Sequence, residues 1–248
     1  MSSHFSTLGF PVSNQEGFAA LVQMVAKVGT GVECERGWYI RWAAGEGIEL
    51  WAQGDNQQQL IGCNPHFSGS SRVRAAVTAV LPDSRAAMDG SLYCWANPPP
   101  GEVDTGEYPF VVDLPDFYLK AHQLKCPSIV NLQVAAFAQQ LECFDSDEAF
   151  QTRMAEARMA PESFIPTGLF KPDGAQINPP QARAYFAGHV QEFQHRKNPW
   201  TTEPFVWLSV KTLGGTFDVV AHPTAVKGQP HPGGVASGTF WLTARLAE

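Results

Sequence analysis

Hydrophobic and polar residues recur with different periods along the chain, and the first clear pattern is helical. Between residues 18 and 28 the apolar residues recur at the spacing of one helix face. Ser13, with Glu16 three positions later, has the arrangement of a capping box, and Gly29 ends the pattern. We therefore predict a helix here, preceded by a short strand over residues 4–10 that Pro11 ends.

Two runs with a two-residue period follow the helix. Residues 38–42 and 48–52 each alternate in a way that is typical of half-exposed strands, and the Gly45-Glu46-Gly47 sequence between them predicts a hairpin turn. Residues 59–63 add a further strand. The first quarter of the chain is therefore predicted to be a βαβββ unit, with Glu49 on its third strand.

The middle of the chain is less regular. Residues 71–80 fit more than one kind of element, and prolines and glycines interrupt residues 89–115, where short strands are predicted over 92–95 and 110–112. Residues 129–144 form an apolar run that fits a helix and a buried strand equally well. Residues 146–159 predict an amphipathic helix, capped by Asp145 or Ser146.

Prolines concentrate between residues 161 and 180, and we predict a domain boundary there, with an α+β domain over 1–160 and an antiparallel β-barrel-like domain over 161–248. The second domain holds four predicted strands, over 184–193, 205–213, 216–221 and 239–246. In the last one Phe240 and Leu242 would face the core, and Trp241 and Arg245 the opposite side. The predicted fold class is α+β, a βαβββ-type N-terminal part followed by a small antiparallel β-barrel or sandwich.

The charge balance argues against partners that are held by electrostatics. The net charge is −7, with ten Lys and Arg against eighteen Asp and Glu in residues 1–160 and seven against six in residues 161–248. Neither part has the positive field that binding to nucleic acid or to an anionic membrane needs. No run approaches the roughly 18 apolar residues of a membrane span. We expect a small molecule or a protein as the partner, and the sequence leaves the oligomeric state open.

The cysteines indicate a reducing compartment. They are Cys34, Cys63, Cys94, Cys126 and Cys143. Their number is odd and no two form a CxxC pair, unlike the cysteines of a disulfide framework or a zinc finger. Isolated cysteines of this kind are typical of buried small side chains in the cytoplasm, which is the location we expect.

A possible divalent metal site involves His4, Glu49 and His66. The βαβββ unit with His4 and Glu49 resembles the vicinal-oxygen-chelate, or glyoxalase-like, family. That resemblance implies a divalent ion held by a histidine and a glutamate, which could polarise a substrate oxygen, and His66 would be a third ligand. The alternative is that His4 is a surface residue and Glu49 lies on the solvent side of its strand.

The segment from Gly62 to Arg74 is the densest polar cluster. Its small residues could let backbone N–H groups approach an anion, with Arg72 and Arg74 supplying positive charge. Cys63 with His66 could form a nucleophile and its base. The alternative is that the same residues are ordinary turn formers.

The C-terminal part is rich in aromatic residues, and it resembles the small oligonucleotide-binding-fold barrels in having aromatic rings beside basic residues such as Arg245. Most of the rings are needed to fill the core of so small a module. Trp241 is the ring predicted to lie outside that core, so Trp241 and Arg245 are candidate binding residues.

The sequence resembles a family of uncharacterised bacterial proteins, over segments such as 3–12, 64–69, 163–170 and 210–221. That resemblance implies a bacterial cytosolic protein. The chain contains no GxxxxGK[ST], GxGxxG, HExxH or GxSxG motif. We therefore favour a binding or accessory protein that is not an enzyme and that uses a cleft between its two parts or the C-terminal aromatic face. The alternative function is a metal-dependent enzyme of glyoxalase-like type.

Overall fold

β-strands dominate the fold, which a computed structural model describes for residues 4–171 and 174–247. Strands take up 49% of the chain and helices 12%. The predicted α+β class is therefore wrong, and the protein belongs to the mainly β class. The apolar runs between residues 71 and 144, which fitted more than one kind of element, form long strands joined by loops and one short 3₁₀ helix.

The described part of the chain contains two α-helices, α1 (Gln15–Val28) and α2 (Asp147–Arg153), and short 3₁₀ helices at Ser6–Leu8, Ala121–Gln123 and Pro223–Ala225. The first seven strands are β1 (Thr30–Cys34), β2 (Gly37–Gly45), β3 (Ile48–Asp55), β4 (Leu60–Phe67), β5 (Val73–Pro82), β6 (Gly90–Ala96) and β7 (Pro109–Asp113). The others are β8 (Ser128–Phe144), β9 (Ser163–Ile165), β10 (Arg183–Lys197), β11 (Pro204–Thr212), β12 (Gly215–Ala221), β13 (Val226–Lys227) and β14 (Val235–Leu246).

The N-terminal part is one helix on a four-stranded sheet, and it lacks the first strand of a βαβββ unit. Strands β1 to β4 pair in chain order, each antiparallel to the next. The predicted strand over residues 4–10 is wrong, because a 3₁₀ turn ends there on Gly9 at φ 77°, a backbone conformation incompatible with a strand. Helix α1 is confirmed, but Asn14 rather than Ser13 is its cap and accepts a hydrogen bond from the Gly17 N–H at 2.8 Å.

The four-stranded sheet is covered on both faces. Leu50 and Ala52 of β3 pack in one apolar cluster with Val25 of α1. On the opposite face of β3, Glu49 and Trp51 are also buried. The predicted alternation of β3 is correct, but its predicted exposure is wrong, because that second face lies against the large sheet instead of water.

Eight of the ten other strands of the described residues, all except β9 and β13, build two closed rings that share β8 and β14. The first ring runs β8, β12, β11, β10, β14 and returns to β8, with β12 parallel to β8 and the other pairs antiparallel. Its interior holds stacked phenylalanine rings, with Phe186 and Phe240 at 3.9 Å and Phe186 and Phe217 at 5.3 Å between ring centroids. Phenylalanine side chains bury large apolar areas, so aromatic side chains fill the interior of this ring of strands.

The second ring runs β8, β5, β6, β7, β14 and returns to β8. Its last contact, between β7 and β14, is a parallel one, and in the described part of the chain its register consists of one residue pair, Thr243 with Asp113. We call this contact line the seam. Backbone pairing is therefore nearly absent along the seam, and side chains must close the ring there.

The two faces of β14 separate as predicted. Phe240, Leu242 and Ala244 belong to the apolar core inside the rings. The intervening side chains of Trp241, Thr243 and Arg245 face outward. They contact the end of β7, the N-terminal sheet, or the segment that follows β7. The shared strands thus form a wall with an apolar inner side and a largely polar outer side.

The structure decides several other predictions. All four C-terminal strands form, but they close a ring only with β8, which lies before residue 160. Residues 129–144 lie in a strand, and the helix predicted over 146–159 is α2, which ends at Arg153. The boundary at residue 160 stays a prediction, although strands from both sides of it pair in one sheet.

Candidate functional site

The candidate site is a cavity of about 340 Å³ at the end of the seam. Its walls come from the loop after β4, from the segment that follows β7, and from the ends of β8 and β14. We call it the seam cavity, and its lining residues are Ser68, Gly69, Arg72, Leu114, Asp116, Leu119, Lys120, Ala121, Gln133, Arg245, Leu246 and Ala247. Residues distant in sequence meet here because β14 lies between β8 and β7.

The lining carries more positive than negative charge. Its charged side chains are Arg72, Lys120, Arg245 and one carboxylate, Asp116. The Arg245 Nε–H donates to Asp116 Oδ2 at 2.9 Å, so the carboxylate is neutralised by one of the three cations. Since a concave, partly dry surface strengthens electrostatic attraction, the excess cations favour an anion in the seam cavity.

Arg245 is held in place by the N-terminal sheet as well as by Asp116. Its Nη1 lies 3.4 Å from Glu49 Oε2, and its guanidinium lies over the Trp51 ring, 4.8 Å from the centroid. A guanidinium held by two carboxylates and an aromatic face has few alternative positions. The cavity therefore presents a pre-positioned cation on a rigid strand.

Glu49 is the buried carboxylate at the centre of this arrangement, with 2% of its side chain exposed. It accepts hydrogen bonds from Arg41 and from the Trp51 indole N–H, the latter at 3.0 Å. Burial favours a raised pKa for Glu49, but the hydrogen bond from Arg41 and the nearby positive charges outweigh burial and lower the pKa below its ordinary value. Glu49 is thus a charged anchor that joins the small sheet to β14.

Gln133 forms the floor of the cavity and connects it to a buried polar chain. Its Nε2 donates to Asp218 Oδ2 at 3.0 Å, so its Oε1 faces His66 Nε2 at 2.7 Å. Because an amide oxygen only accepts, the proton of a neutral His66 lies on Nε2, and Nδ1 accepts from the Thr243 hydroxyl at 2.9 Å. The floor is therefore a fixed hydrogen-bond network rather than a group free to rearrange.

Asp218 fixes the loop that forms one wall of the cavity. Its carboxylate accepts from the Ser71 backbone N–H at 2.9 Å and from the Trp207 indole N–H at 3.0 Å. A side chain on Gly69 would place its Cβ 2.1 Å from Asp218 Cγ and 2.2 Å from both carboxylate oxygens, so only glycine permits this approach. The Ser71 N–H belongs to the segment whose backbone donors were predicted to bind an anion, and the protein's own carboxylate already occupies that donor.

The three predicted metal ligands are only partly brought together. Glu49 and His66 face each other across β3 and β4, whereas the His4 ring stacks on Trp241 at 4.1 Å between centroids. Burial lowers the pKa of His66, although the nearby Glu49 opposes that shift, and both ring nitrogens are hydrogen-bonded. Within residues 4–171 and 174–247, no group of three His, Cys, Asp or Glu side chains is placed to hold a metal ion.

The predicted nucleophile and base pair is wrong. Cys63 packs in the apolar cluster that contains α1, and His66 lies in the polar chain behind the cavity. An odd spacing of three residues along β4 places the two side chains on opposite faces. Burial raises the pKa of the Cys63 thiol to about 12, so the thiol is not a nucleophile at neutral pH.

The four predicted binding residues separate into two groups. Arg72 and Arg245 both line the seam cavity, as the sequence could not have shown. Arg74 lines a neighbouring depression and donates to the Pro98 carbonyl. Trp241 is part-buried, and its indole N–H donates to Asp113 Oδ2 at 2.6 Å, so the ring predicted to be free for stacking serves to close the seam.

Three polar lining residues were not identified from the sequence: Asp116, Lys120 and Gln133. Asp116 and Lys120 follow β7 in a segment with no recognisable motif. Gln133 lies within the apolar run over residues 129–144, whose sequence fitted a helix and a buried strand equally well. Only knowledge that β14 lies beside both β7 and β8 would have brought them together with Arg245.

The fold and site define a mainly β protein whose two strand-sharing rings leave a basic cavity beside an incompletely paired seam. No protein-family model, curated protein or solved structure matches the chain. Among the helices of the described residues, none has the length and apolar character to cross a membrane.

Proposed function

We propose that this protein is a binding protein for a small organic anion and that the seam cavity is its binding site. The observation that carries the proposal is the convergence of Arg72, Lys120 and Arg245 on one concave surface with a single carboxylate, which is itself paired. In a chain of net charge −7, a local excess of cations is a specific feature and not a consequence of composition. Carboxylates and phosphates are the groups that arginine and lysine bind best.

The volume of the cavity limits the ligand to a small molecule. About 340 Å³ is at the lower end of the range of ligand pockets, roughly 300–1,000 Å³. The fixed floor, in which Gln133 is held by His66 and Asp218, supports binding without rearrangement. Together these features favour reversible capture of the ligand, in agreement with a binding rather than a catalytic role.

We place this activity in the cytoplasm. All five cysteines are free thiols, and three of them are buried. Free thiols are typical of a reducing compartment, because an oxidising compartment favours disulfides.

Calorimetric titration with acetate, citrate and inorganic phosphate at low ionic strength tests the proposal. We expect at least one of these anions to bind, with an affinity that falls as sodium chloride is added. Lys120→Gln should weaken that affinity about tenfold, since a hydrogen bond to a charged group contributes roughly 1.5 kcal/mol. The matched control is Lys125→Gln, an exposed lysine of the same segment that does not line the seam cavity.

Two outcomes would contradict the proposal. One is the absence of binding heat with every anion of the panel. The other is equal weakening by Lys120→Gln and Lys125→Gln, which would indicate general charge attraction instead of a built site. Circular dichroism spectra that match the wild type would show that both variants fold.

A further inference from the structure

The seam cavity continues into a second depression on the same side of the molecule. The second depression has a volume of about 500 Å³, and we call it the side groove; its lining residues are Arg74, Lys120, Leu124, Ile129, Val130, Asn131, Leu246 and Ala247. Lys120, Leu246 and Ala247 line both spaces. A ligand long enough to pass these three residues would therefore occupy both.

The side groove differs from the seam cavity in having an apolar wall. Leu124 and Val130 are partly buried against the core, and Leu246 at the junction is as well. Ile129, a large aliphatic side chain near the start of β8, is 38% exposed. An exposed isoleucine beside three other aliphatic side chains in a concave site favours an apolar group of a ligand.

We infer that the ligand is an amphiphilic anion, with its carboxylate or phosphate among Arg72, Lys120 and Arg245 and an aliphatic or aromatic body along the side groove. This inference rests on the proposed function and adds the chemical class of the ligand. Lys120 at the junction would contact the acidic head, and Leu246 the first atoms of the body.

The charges that line the side groove and the seam cavity favour a ligand with an anionic group at one end over a ligand with an anionic group at both ends. The second groove cation, Arg74, is half-buried and donates to the Pro98 carbonyl. Arg72 also donates to a backbone carbonyl, that of Ser71 at 2.7 Å, but Arg72 and Lys120 are exposed. The seam cavity is lined by three cations and one carboxylate, Asp116, and of these cations Arg245 pairs with Asp116 and with the buried Glu49 behind the lining.

A series of straight-chain carboxylates, from acetate through butyrate and hexanoate to octanoate, tests this inference on the full-length protein. Each concentration stays below that at which the acid forms micelles. Burial of a methylene group stabilises by about 0.8 kcal/mol, or roughly fourfold in affinity. Because the side groove is open to water, we expect at least tenfold tighter binding of octanoate than of butyrate.

Two variants separate the contributions that the anionic head and the aliphatic body of the ligand make to the affinity. Ile129→Thr keeps a β-branched residue in the strand and should at least halve the gain from butyrate to octanoate, with acetate binding unchanged. Lys120→Gln should weaken all four acids by a similar factor. The matched control for the first is Ile61→Thr, an equally exposed isoleucine at the start of β4 that lines neither space.

The outcomes distinguish the two proposals. Equal affinity across the series, or a chain-length dependence that Ile129→Thr leaves intact, would overturn the amphiphilic ligand and leave anion binding standing. An affinity that rises with chain length but is unchanged by Lys120→Gln and by added salt would overturn the placement of the carboxylate in the seam cavity. Absence of binding by every acid and by phosphate would overturn both.

Discussion

The two rings share β8 and β14 but are closed in different ways. In the first ring, β10 pairs with β14 through seven residue pairs, from Arg183 with Trp241 to His189 with Val235. In the second ring, β7 meets β14 through one pair, Thr243 with Asp113. Stacked phenylalanine rings fill the first, and the interior of the second combines large residues such as Phe110 with small residues such as Ala75.

The difference shows where a mainly β protein can place polar chemistry. A strand pair with a full set of backbone hydrogen bonds leaves no space between its strands. Along the seam, closure depends on side chains: Trp241 with Asp113, and Arg245 with Asp116. Side chains reach farther than backbone groups, so they can join β7 and β14 at a larger separation than backbone pairing allows. This separation closes the second ring and leaves space for the seam cavity at the end of the seam.

The largest expected effect comes from the filled ring. Phe186→Ala removes a fully buried ring from the stack with Phe240 and Phe217, and we expect a loss of about 3–5 kcal/mol in the free energy of unfolding. Urea denaturation followed by tryptophan fluorescence measures it. Phe170→Ala, at a largely exposed ring, is the control and should change stability by less than about 0.5 kcal/mol. Similar losses in both variants would mean that the stack does not determine stability.

The next effect concerns the anchor between the small sheet and β14. Glu49→Gln removes the charge that Arg41 and Arg245 share, and we expect a loss of about 1.5–3 kcal/mol, since both arginines keep access to water. The control is Asp83→Asn at an exposed ion pair, with an expected loss below about 1 kcal/mol.

The loss of stability caused by Glu49→Gln should depend on pH. The pKa of Glu49 is lowered in the folded protein, so its contribution is complete above the ordinary value of 4.5 and is lost as pH falls through the lowered pKa. The difference in stability between wild type and Glu49→Gln should therefore shrink below pH 4.5. A constant difference from pH 7 to the acid limit would contradict the assignment of Glu49 as a charged anchor.

A smaller effect tests the seam itself. Trp241→Phe keeps an aromatic ring against Phe137 but removes the indole N–H that donates to Asp113. We expect a loss of about 1–1.5 kcal/mol. Burial raises the pKa of Asp113, and loss of this donor should raise it further, which carboxyl chemical shifts in an NMR titration would record. Trp200→Phe, at an exposed indole, should change neither quantity.

The smallest effect lies on the outside of the first ring. His189 lies between Glu162 at 2.9 Å and Asp147 of α2 at 2.8 Å, and Lys211 lies 3.6 Å from Glu162. The hydrogen bond to Glu162 and the adjacent carboxylates raise the pKa of His189. Its contribution is therefore complete below the ordinary pKa of 6.5 and is lost as pH rises through the raised value.

We expect His189→Gln to lower the melting temperature at pH 6 by less than about 2 °C, because the site is near the surface. The difference from wild type should vanish towards pH 9. His195→Gln, on the same strand, is the control. A difference that grows with rising pH would show that the histidine is not held in its charged form.

Strand patterns were predictable where one face was polar and the other apolar. The alternation in β14 correctly assigned Phe240 to the core and Arg245 to the opposite face. The same rule misjudged Glu49, because periodicity identifies a second face but not what covers it. Residues 129–144 were undecided since β8 is covered on both sides along much of its length.

The candidate site was predictable only in fragments. Arg72 and Arg245 were chosen for their charge, and both line the seam cavity. Lys120 and Gln133 gave no local signal, because their role depends on strand order, and strand order is a long-range property. Trp241 was correctly assigned to the face opposite Phe240, but it packs against the apolar clusters, and its partner Asp113 is 128 positions away in the chain.

The sharing of β8 and β14 also bears on how the protein folds while the ribosome makes it. Strand β14 is translated after every other strand of both rings, so neither ring can close during most of synthesis. Helix α1 with β1 to β4 has mainly local contacts and can form early. Until β14 emerges, the edge of β8 that β14 covers has no partner strand. Such an edge favours aggregation of the nascent chain, which chaperones prevent.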